Sequence, residues 1–233
     1  MDIFLDSFIQ ALKLIFSGDR EVWKIVFLSL SCTFWACLGA ALAGLPAAFI
    51  LGYCEFRLKK FFIVLFNTLQ SVPTVVVGLF LYVFISRRGI FGPLDLLYSP
   101  RAISIGQFIL ITPLIIMFAL AALSRLDRRY HQSALTLGAS QWQAALAVWR
   151  EARFALVAAI CAAFGRGVAE VGVSMMLGGN IRGYTRTMTT AMALEYDKGE
   201  FITAVALGLV LLGVSFALNF FLGLFQSPLR RTA

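Results

Sequence analysis

The feature that most constrains this chain is a long stretch without any charged residue, which runs from Ile25 to Cys54. About 20 apolar residues in an α-helix are enough to cross the hydrocarbon core of a bilayer, so this stretch can span a membrane. Four further apolar stretches follow, at 61–86, 102–124, 154–177 and 201–229. Of the five stretches, only the fourth, 154–177, contains charged residues. The sequence therefore predicts an all-α, polytopic membrane protein with about five transmembrane helices.

The composition agrees with a membrane protein. Of the 233 residues, 60% are hydrophobic and 14% are charged, whereas a soluble domain is usually near half apolar and a quarter charged. No polar segment is long enough to have its own core, so a single transmembrane domain is predicted over residues 1–233. The net charge of +8 lies largely beside the apolar stretches, where anionic lipid and topology account for it. No nucleic-acid partner is expected.

The first 17 residues predict a short helix that lies in the membrane interface. Its polar residues recur every three or four positions, and apolar residues fill the other side. Its acidic beginning does not fit a typical signal peptide. The polar set is Asp2, Asp6, Gln10, Lys13 and Ser17.

The sequence gives no sign of catalytic chemistry. The four cysteines lie in or at the ends of apolar segments without metal-ligand spacing, and the single histidine, His131, has no ligand cluster around it. No phosphate loop, nucleophile elbow or zinc motif is present. We therefore expect no catalytic residue, metal or bound cofactor in this chain, and any ATP it uses must be hydrolysed by another chain.

The longest charged segment, 125–153, lies between the third and fourth apolar stretches. Its pattern predicts two short helices that meet at Gly138, with an apolar side formed by residues such as Leu135 and Trp142. A helix–glycine–helix unit at the membrane surface could dock against a soluble partner and be moved as a rigid body. An ordinary polar loop between two spans is the alternative.

This segment resembles the cytoplasmic coupling loop of ABC importer permeases, the EAA motif, written E-A-A-three-Gly-nine-I-x-L-P. With Gly138 as the fixed glycine, Gln132-Ser133-Ala134 stand at E-A-A and Val148 stands at the isoleucine. The chain departs from the motif at the glutamate and at the closing Leu-Pro, where it has Arg150-Glu151. The resemblance implies an ATPase-coupling set that consists of Gln132, Ser133, Ala134, Gly138, Ala139, Ser140 and Val148.

Three other segments extend the resemblance over most of the chain. Residues 164–172 (FGRGVAEVG) and 67–78 (NTLQSVPTVVVG) resemble the oxyanion permeases, and residues 178–199 resemble the tungstate permeases in particular. The resemblance implies the MetI-like permease fold and a homodimer in a prokaryotic plasma membrane. It also implies a cytoplasmic ATPase and an extracytoplasmic oxyanion-binding protein as partners. Tungstate is the expected substrate, with molybdate or another oxyanion as the alternative.

Arg166 and Glu170 are charged residues inside the fourth apolar stretch. Their spacing of four places them on one helix face, about one turn apart. An unpaired charge at this depth costs at least about 2.5–3.5 kcal/mol, so such residues usually face protein or a water-filled path. Two roles remain open: a gate or pathway element for an anion, or a self-satisfied pair that fixes helix packing.

Four more residues are candidates for the substrate pathway. Pro73 and Pro113 lie within apolar stretches, where the carbonyl groups freed by a proline can line a polar cavity, although a simple bend is the alternative. Asn180 and Thr185 lie in a polar, glycine-rich segment whose neutral donors suit an oxyanion. A hydrogen-bonded connection between two spans explains that segment equally well.

The orientation of the chain in the membrane is predicted from the charge of the loops and from the coupling-loop resemblance. Those after the first, third and fifth stretches carry only slightly more Lys and Arg than the opposite ones. The coupling-loop resemblance places the same group in the cytoplasm, so the amino terminus is expected outside and the carboxyl terminus inside. An ATP-independent secondary transporter is a less favoured alternative because no inverted repeat is evident. A membrane scaffold without cargo is the third possibility.

Overall fold

The structure, a computed structural model, describes residues 2–124, 126 and 128–226. Within these residues the chain is helical and contains no strand. Arg125 of the predicted coupling loop and the predicted end of the fifth span at Leu229 lie outside them. The α-helices are α1 (Asp2–Phe16), α2 (Arg20–Tyr53), α3 (Lys59–Ser71), α4 (Thr74–Ile85), α5 (Pro100–Ser124), α6 (Arg128–Thr136), α7 (Gln141–Glu151), α8 (Arg153–Val168), α9 (Gly172–Gly178), α10 (Met188–Asp197) and α11 (Phe201–Gln226).

Three helices, α2, α5 and α11, are long and apolar enough to cross a membrane. Two bent pairs pass the same test together. Between α3 and α4 the axis turns by 100°, and between α8 and α9 it turns by 58°. Counted as one span each, the bent pairs bring the total to the predicted five.

Helices α2 and α5 pack along one another and form the centre of the bundle. Small residues of α2, such as Ala36 and Ala40, lie against Ile111 and Ile115 of α5. Their small side chains let the two helices approach closely, as is common in membrane bundles. Pro113 is buried within α5 without breaking it, and Pro46 does not end α2, which continues to Tyr53.

The second apolar stretch is not one continuous helix. It breaks at Val72 and Pro73, which both have extended ψ angles of about 130°. Proline lacks the N–H that a helix interior needs, and its ring drives the preceding residue out of the helical region. Pro73 thus ends α3 and immediately precedes the first turn of α4, so the bend that the proline indicated is present here as a break in the helix.

The fourth stretch is also broken, and here no proline is involved. Helix α8 ends at Val168, and α9 begins only at Gly172. Glu170 lies in the break, so the prediction that both charged residues share one continuous helix is wrong for Glu170. Its own carboxylate accepts a hydrogen bond from the N–H of Val173 (3.2 Å). That bond gives the start of α9 an acceptor that the helix itself cannot provide.

The two breaks lie against each other. A Cβ on Gly172, at the start of α9, would come within 2.6 Å of the Thr74 hydroxyl oxygen at the start of α4. On its other side α9 packs on α5, where a Cβ on Gly106 would lie 2.2 Å from Val173. Glycine is needed at both positions because any larger residue would separate these helices.

The predicted amino-terminal helix is present as α1. It packs against α11, and its Ala11 is buried, while Phe16 is exposed. Gly18 then adopts a φ of +70°, and the Asp19 side chain caps α2 by accepting hydrogen bonds from the first N–H groups of that helix. The helix itself is confirmed, and its position in the membrane interface stays a prediction.

Candidate functional site

The two intramembrane charges form a direct ion pair. Arg166 Nη1 donates to Glu170 Oε2 at 2.8 Å. The Glu170 side chain is 3% exposed, whereas that of Arg166 is 49% exposed. The carboxylate is therefore enclosed by protein, and the guanidinium group, which has five N–H donors, leaves part of its donor face uncovered.

Glu170 is held by three further hydrogen bonds, two to neighbouring residues and one to a separate helix. Its second carboxylate oxygen accepts from Val173, as described above, and its backbone N–H donates to the Gly167 carbonyl (3.1 Å). Its own carbonyl accepts from the Thr189 hydroxyl of α10 at 2.7 Å. Each polar group of this residue thus has a partner, as burial in hydrocarbon requires.

Gln107 of α5 completes the support of the break. Its side-chain amide donates to the Gly167 carbonyl at 3.1 Å, although the two residues are 60 positions apart. Its other side-chain atom, Oε1, is buried without a partner among the described residues, as are Thr33 Oγ1 and Ser174 Oγ. Such buried polar atoms mark places where a bound water or a rearrangement could satisfy them.

A small recess of about 40 Å³ lies where the two broken spans meet. Its volume is enough for one or a few water molecules. Thr74 and Val72 contribute to its lining from beside Pro73, and both members of the ion pair also line it. The polar lining side chains are Gln70, Thr74, Gln107, Arg166 and Glu170.

The other predicted pathway residues do not line this recess. Pro113 is buried inside α5. The Thr185 hydroxyl is fully buried and donates to the Gly178 carbonyl, so in this conformation its proton is already used. Asn180 has a φ of +51° and donates to the Thr190 carbonyl, with its Oδ1 buried and unpartnered within the described part of the chain. A pathway role for these three residues, and for Pro73, stays a prediction.

Sequence reasoning did not select Gln70, Thr74, Gln107 or Thr189 as site residues. Gln70 and Gln107 carried a usable signal, because each is an amide side chain inside an uncharged apolar stretch. Thr189 lies in the polar segment whose neutral donors suit an oxyanion, and Thr74 lies in the segment 67–78 that resembles the oxyanion permeases. Their individual contacts with the break could not be predicted, because their partners are distant in the sequence.

The predicted helix–glycine–helix unit is confirmed as α6 and α7. Gly138 has a φ of +86°, which favours glycine. Its N–H donates to the Leu135 carbonyl, and the Ala139 N–H donates to that of Ala134, both at 3.0 Å. This pair of bonds is the Schellman motif. Ser140 then begins α7 with a capping box, in which its side chain and that of Gln143 satisfy each other's backbone N–H groups.

The hairpin formed by α6 and α7 presents an exposed surface and a buried side. Gln132, Ser133 and Gly138 are exposed, and Leu137 is 88% exposed. On the buried side, Val148 is covered. Apolar residues at such a level of exposure indicate a surface that another protein or the membrane covers.

Two tryptophans connect α7 to the bundle. The rings of Trp142 and Trp149 lie 5.4 and 5.2 Å from the ring of Phe49 in α2. Ala152 ends α7 and immediately precedes α8, and its own backbone is helical (φ −69°, ψ −8°). Helix α7 is therefore joined by a one-residue link to the helix that carries Arg166.

Comparison with known proteins identifies the class of this chain. The family described as the binding-protein-dependent transport system inner membrane component matches residues 44–231. The structure of the MetNI methionine ABC transporter in an inward-facing conformation aligns with a TM-score of 0.71 at 16% sequence identity, and it covers 92% of this chain and 97% of the other. At that identity the likeness shows the fold alone.

Individual relatives are similar over nearly the whole length. The tungstate uptake system permease protein TupB of Campylobacter jejuni is 41% identical over 94% of this chain and 92% of its own. TupB of Peptoclostridium acidaminophilum is 37% identical over 94% and 96%. The molybdenum transport system permease protein ModB of Escherichia coli K12 is 28% identical over 83% and 91%.

The chain therefore belongs to the binding-protein-dependent transport system inner membrane component family. It is a multi-pass membrane permease of the ABC importer type, a transport subunit rather than an enzyme, and it is driven by a partner ATPase. Membership of this family decides against the secondary transporter and the scaffold as alternatives.

The geometry of the ion pair predicts an asymmetric response to mutation. Arg166→Ala would leave the enclosed Glu170 carboxylate unpaired. We expect a loss of about 2–3 kcal/mol in stability, below the range of about 3–5 kcal/mol for fully buried pairs because Arg166 is half exposed. The double variant Arg166→Leu/Glu170→Gln keeps an acceptor for the Val173 N–H and removes both charges, so it should regain most of that loss. Thermal unfolding in detergent measures both.

Arg101→Ala serves as the matched control, because it removes an exposed arginine from the first turn of α5. It should unfold at the wild-type temperature. A double variant that is as unstable as Arg166→Ala would contradict the interpretation that the unpaired carboxylate is the cause.

Proposed function

We propose that this chain is the permease of a tungstate importer. The observation that carries the proposal is the 41% identity to a tungstate permease over 94% of the chain. The second tungstate permease supports it at 37%. Molybdate is the second candidate substrate, because the Escherichia coli molybdenum permease is also similar over most of the chain, although at 28%.

We further propose that two copies of this chain form the permease and that an extracytoplasmic binding protein delivers the anion. The hairpin of α6 and α7 faces the cytoplasm in this arrangement, with the amino terminus outside and the carboxyl terminus inside. The exposed Leu137 and Gln132 support this placement, because they lie on a rigid, self-capped unit that matches the position of the coupling motif.

The one-residue link at Ala152 gives the hairpin a direct mechanical connection to the ion pair. A shift of α7 against the ATPase would move α8 as a rigid body, and Arg166 lies near the carboxyl-terminal end of α8. The break at 169–171 would let α9 keep its packing on α4 and α5 while α8 moves. ATP binding at the ATPase would in this way change the exposure of Arg166.

Arg166 is proposed as the residue that contacts the anion in the pathway, and Glu170 is proposed to position its guanidinium group. The half-exposed guanidinium group offers donors and positive potential to a dianion, while Glu170 fixes its position and keeps the net charge of the pair near zero. That balance would favour passage over tight binding. Arg166→Lys keeps the charge but loses the forked donor geometry, so it should transport weakly.

Uptake of tungstate tests the function. The permease is reconstituted in vesicles with its ATPase and binding protein, and accumulated tungsten is measured by mass spectrometry. We expect ATP-dependent uptake of tungstate that molybdate inhibits more strongly than sulfate does. The folded Arg166→Leu/Glu170→Gln variant should lose at least about tenfold in rate, because one charge-assisted contact in the limiting step is worth at least about 1.4 kcal/mol.

Accumulation of sulfate without tungstate would refute the assigned substrate. Wild-type uptake by the double variant would instead refute only the pathway role of Arg166 and would leave the pair as a structural brace.

Coupling is tested at Gly138. Gly138→Leu places a side chain in a left-handed backbone conformation, which costs about 1–2 kcal/mol and distorts the end of α6. We expect normal membrane insertion and loss of transport-stimulated ATP hydrolysis. Gly213→Leu in α11, where no neighbouring atom lies within 4 Å of an added Cβ, is the control and should hydrolyse ATP normally. Full transport by Gly138→Leu would show that this hairpin does not couple.

The orientation is tested by cysteine labelling in a background from which the four native cysteines have been removed. Ser140 and Tyr184 are both exposed and lie at opposite ends of the bundle. A membrane-impermeant maleimide should label Tyr184→Cys in intact cells and label Ser140→Cys only after the membrane is opened. Labelling of both from the same side would rule out the proposed topology.

A further inference from the structure

A second polar site lies at the end of the bundle away from the α6–α7 hairpin. It is a surface cleft of about 920 Å³ between the beginning of α2, the turn at Gly18 and the loop that precedes α10. Basic side chains predominate over acidic ones on its walls. Those that carry the argument are Arg20, Lys24, Arg182 and Arg186, with Glu21 as the one acidic side chain among the lining residues.

The cleft lies at the depth of lipid headgroups. Along α2, large apolar residues are exposed from Phe27, which is 75% exposed, to Ile50. At 1.5 Å per residue this stripe rises by about 35 Å, close to the hydrocarbon thickness of about 30 Å with a modest tilt. Lys24 and Arg20 follow just beyond the outer end of the stripe. Trp23 and Tyr184 lie beside them, as aromatic residues do at a membrane interface.

The single carboxylate of Glu21 serves two of the four basic groups, because it pairs directly with Arg182 and also lies 4.0 Å from Arg186. Arg182 donates through Nε and Nη2 to the two carboxylate oxygens of Glu21 in a forked pair, and this pairing raises the pKa of the Arg182 guanidinium. Arg20 and Lys24 are exposed and form no ion pair with any described residue. The cleft therefore keeps an excess of positive charge after its internal pairing is complete.

Arg186 is the most informative of the four. Its side chain is only 11% exposed, yet its nearest carboxylate oxygens, on Glu195 and Glu21, lie at 3.7 and 4.0 Å, beyond hydrogen-bonding distance. Its Nε is buried and has no acceptor among the described residues. Among the described residues, Arg186 therefore has two carboxylates at ion-pair distance but no hydrogen-bonded acceptor, so its guanidinium group still has donors to offer to an anion.

The shape of the cleft distinguishes among anions. Its floor continues directly into the apolar surface of α2 through Ile25, Phe27 and Leu28. A ligand that fills it must carry negative charge at one end and an apolar chain at the other. A free oxyanion would leave the apolar floor uncovered, and a protein partner would need to reach to the depth of Phe27 in the membrane.

We propose that this cleft binds the headgroup phosphate of an anionic phospholipid, with the acyl chains lying along the exposed face of α2. Arg186 and Lys24 hold the phosphate from two sides, and Arg20 adds long-range attraction at the rim. The bound lipid thereby ties the beginning of α2 to the loop that precedes α10. This inference is independent of the transported substrate.

Binding of phosphatidylglycerol by the purified permease–ATPase complex tests the proposal. Native mass spectrometry counts retained lipid after detergent exchange, and phosphatidylcholine is the neutral probe. We expect the wild type to retain phosphatidylglycerol selectively. Arg20→Gln/Lys24→Gln should bind it about tenfold more weakly, as expected for the loss of one charge-assisted hydrogen bond. Because neither residue is paired within the described chain, this variant should fold normally.

Arg186→Gln is the second variant and should show a loss at least as large. Arg87→Gln/Arg88→Gln is the matched control, because it removes the same charge from the loop after α4, outside the cleft, and it should retain phosphatidylglycerol like the wild type. An equal loss in the control would overturn the proposal in favour of general surface charge.

Two further outcomes would also overturn it. Displacement of phosphatidylglycerol by excess sodium tungstate would identify the cleft as a site for the free oxyanion. Unchanged lipid retention by both cleft variants, combined with weaker association of the binding protein, would identify it as a protein-docking surface.

Discussion

In hydrocarbon, every N–H and C=O group released where a helix breaks must find a partner within the protein. The arrangement around Glu170 follows from this requirement. Gln107 of α5 satisfies the carbonyl of Gly167, Thr189 of α10 satisfies that of Glu170, and the Glu170 carboxylate satisfies the N–H of Val173. A carboxylate can do so at this depth only because Arg166 neutralises it. The ion pair is thus the condition under which α8 and α9 can separate inside the membrane.

The same condition links the two broken spans. Once the chain bends at 169–171, Gly172 can lie close to Thr74. Val173 can then pack against Gly106 so closely that no Cβ would fit there. The bend at Pro73 has a different cause, since proline breaks a helix without any help from a charge. A rigid bend and an electrostatically held bend therefore lie side by side. Of the two, only the second can respond to a change in charge or in the position of α8.

The sequence predicted the number and limits of the membrane spans better than the places where they bend. Apolar stretches gave the number and approximate limits of the spans, and the meeting of two short helices at Gly138 followed from the motif around it. Pro73 indicated a bend in the second stretch, but a hydropathy profile carries no information on the direction of the chain, so nothing indicated the bend in the fourth stretch, which contains no proline. The contact between Arg166 and Glu170 follows from their spacing. The contacts of Gln107 and Thr189 with the break do not, because those residues are 60 and 19 positions away from their partners.

The hairpin of α6 and α7 satisfies its own turn. The N–H groups of Gly138 and Ala139 bond within α6, and Ser140 and Gln143 cap α7 reciprocally. The hairpin therefore has its final shape before anything binds to it, and binding would lose little conformational entropy. More of the free energy of that contact then remains to move α8. In a flexible loop of the same length, much of the binding free energy would be offset by the conformational entropy that the loop loses when it becomes ordered.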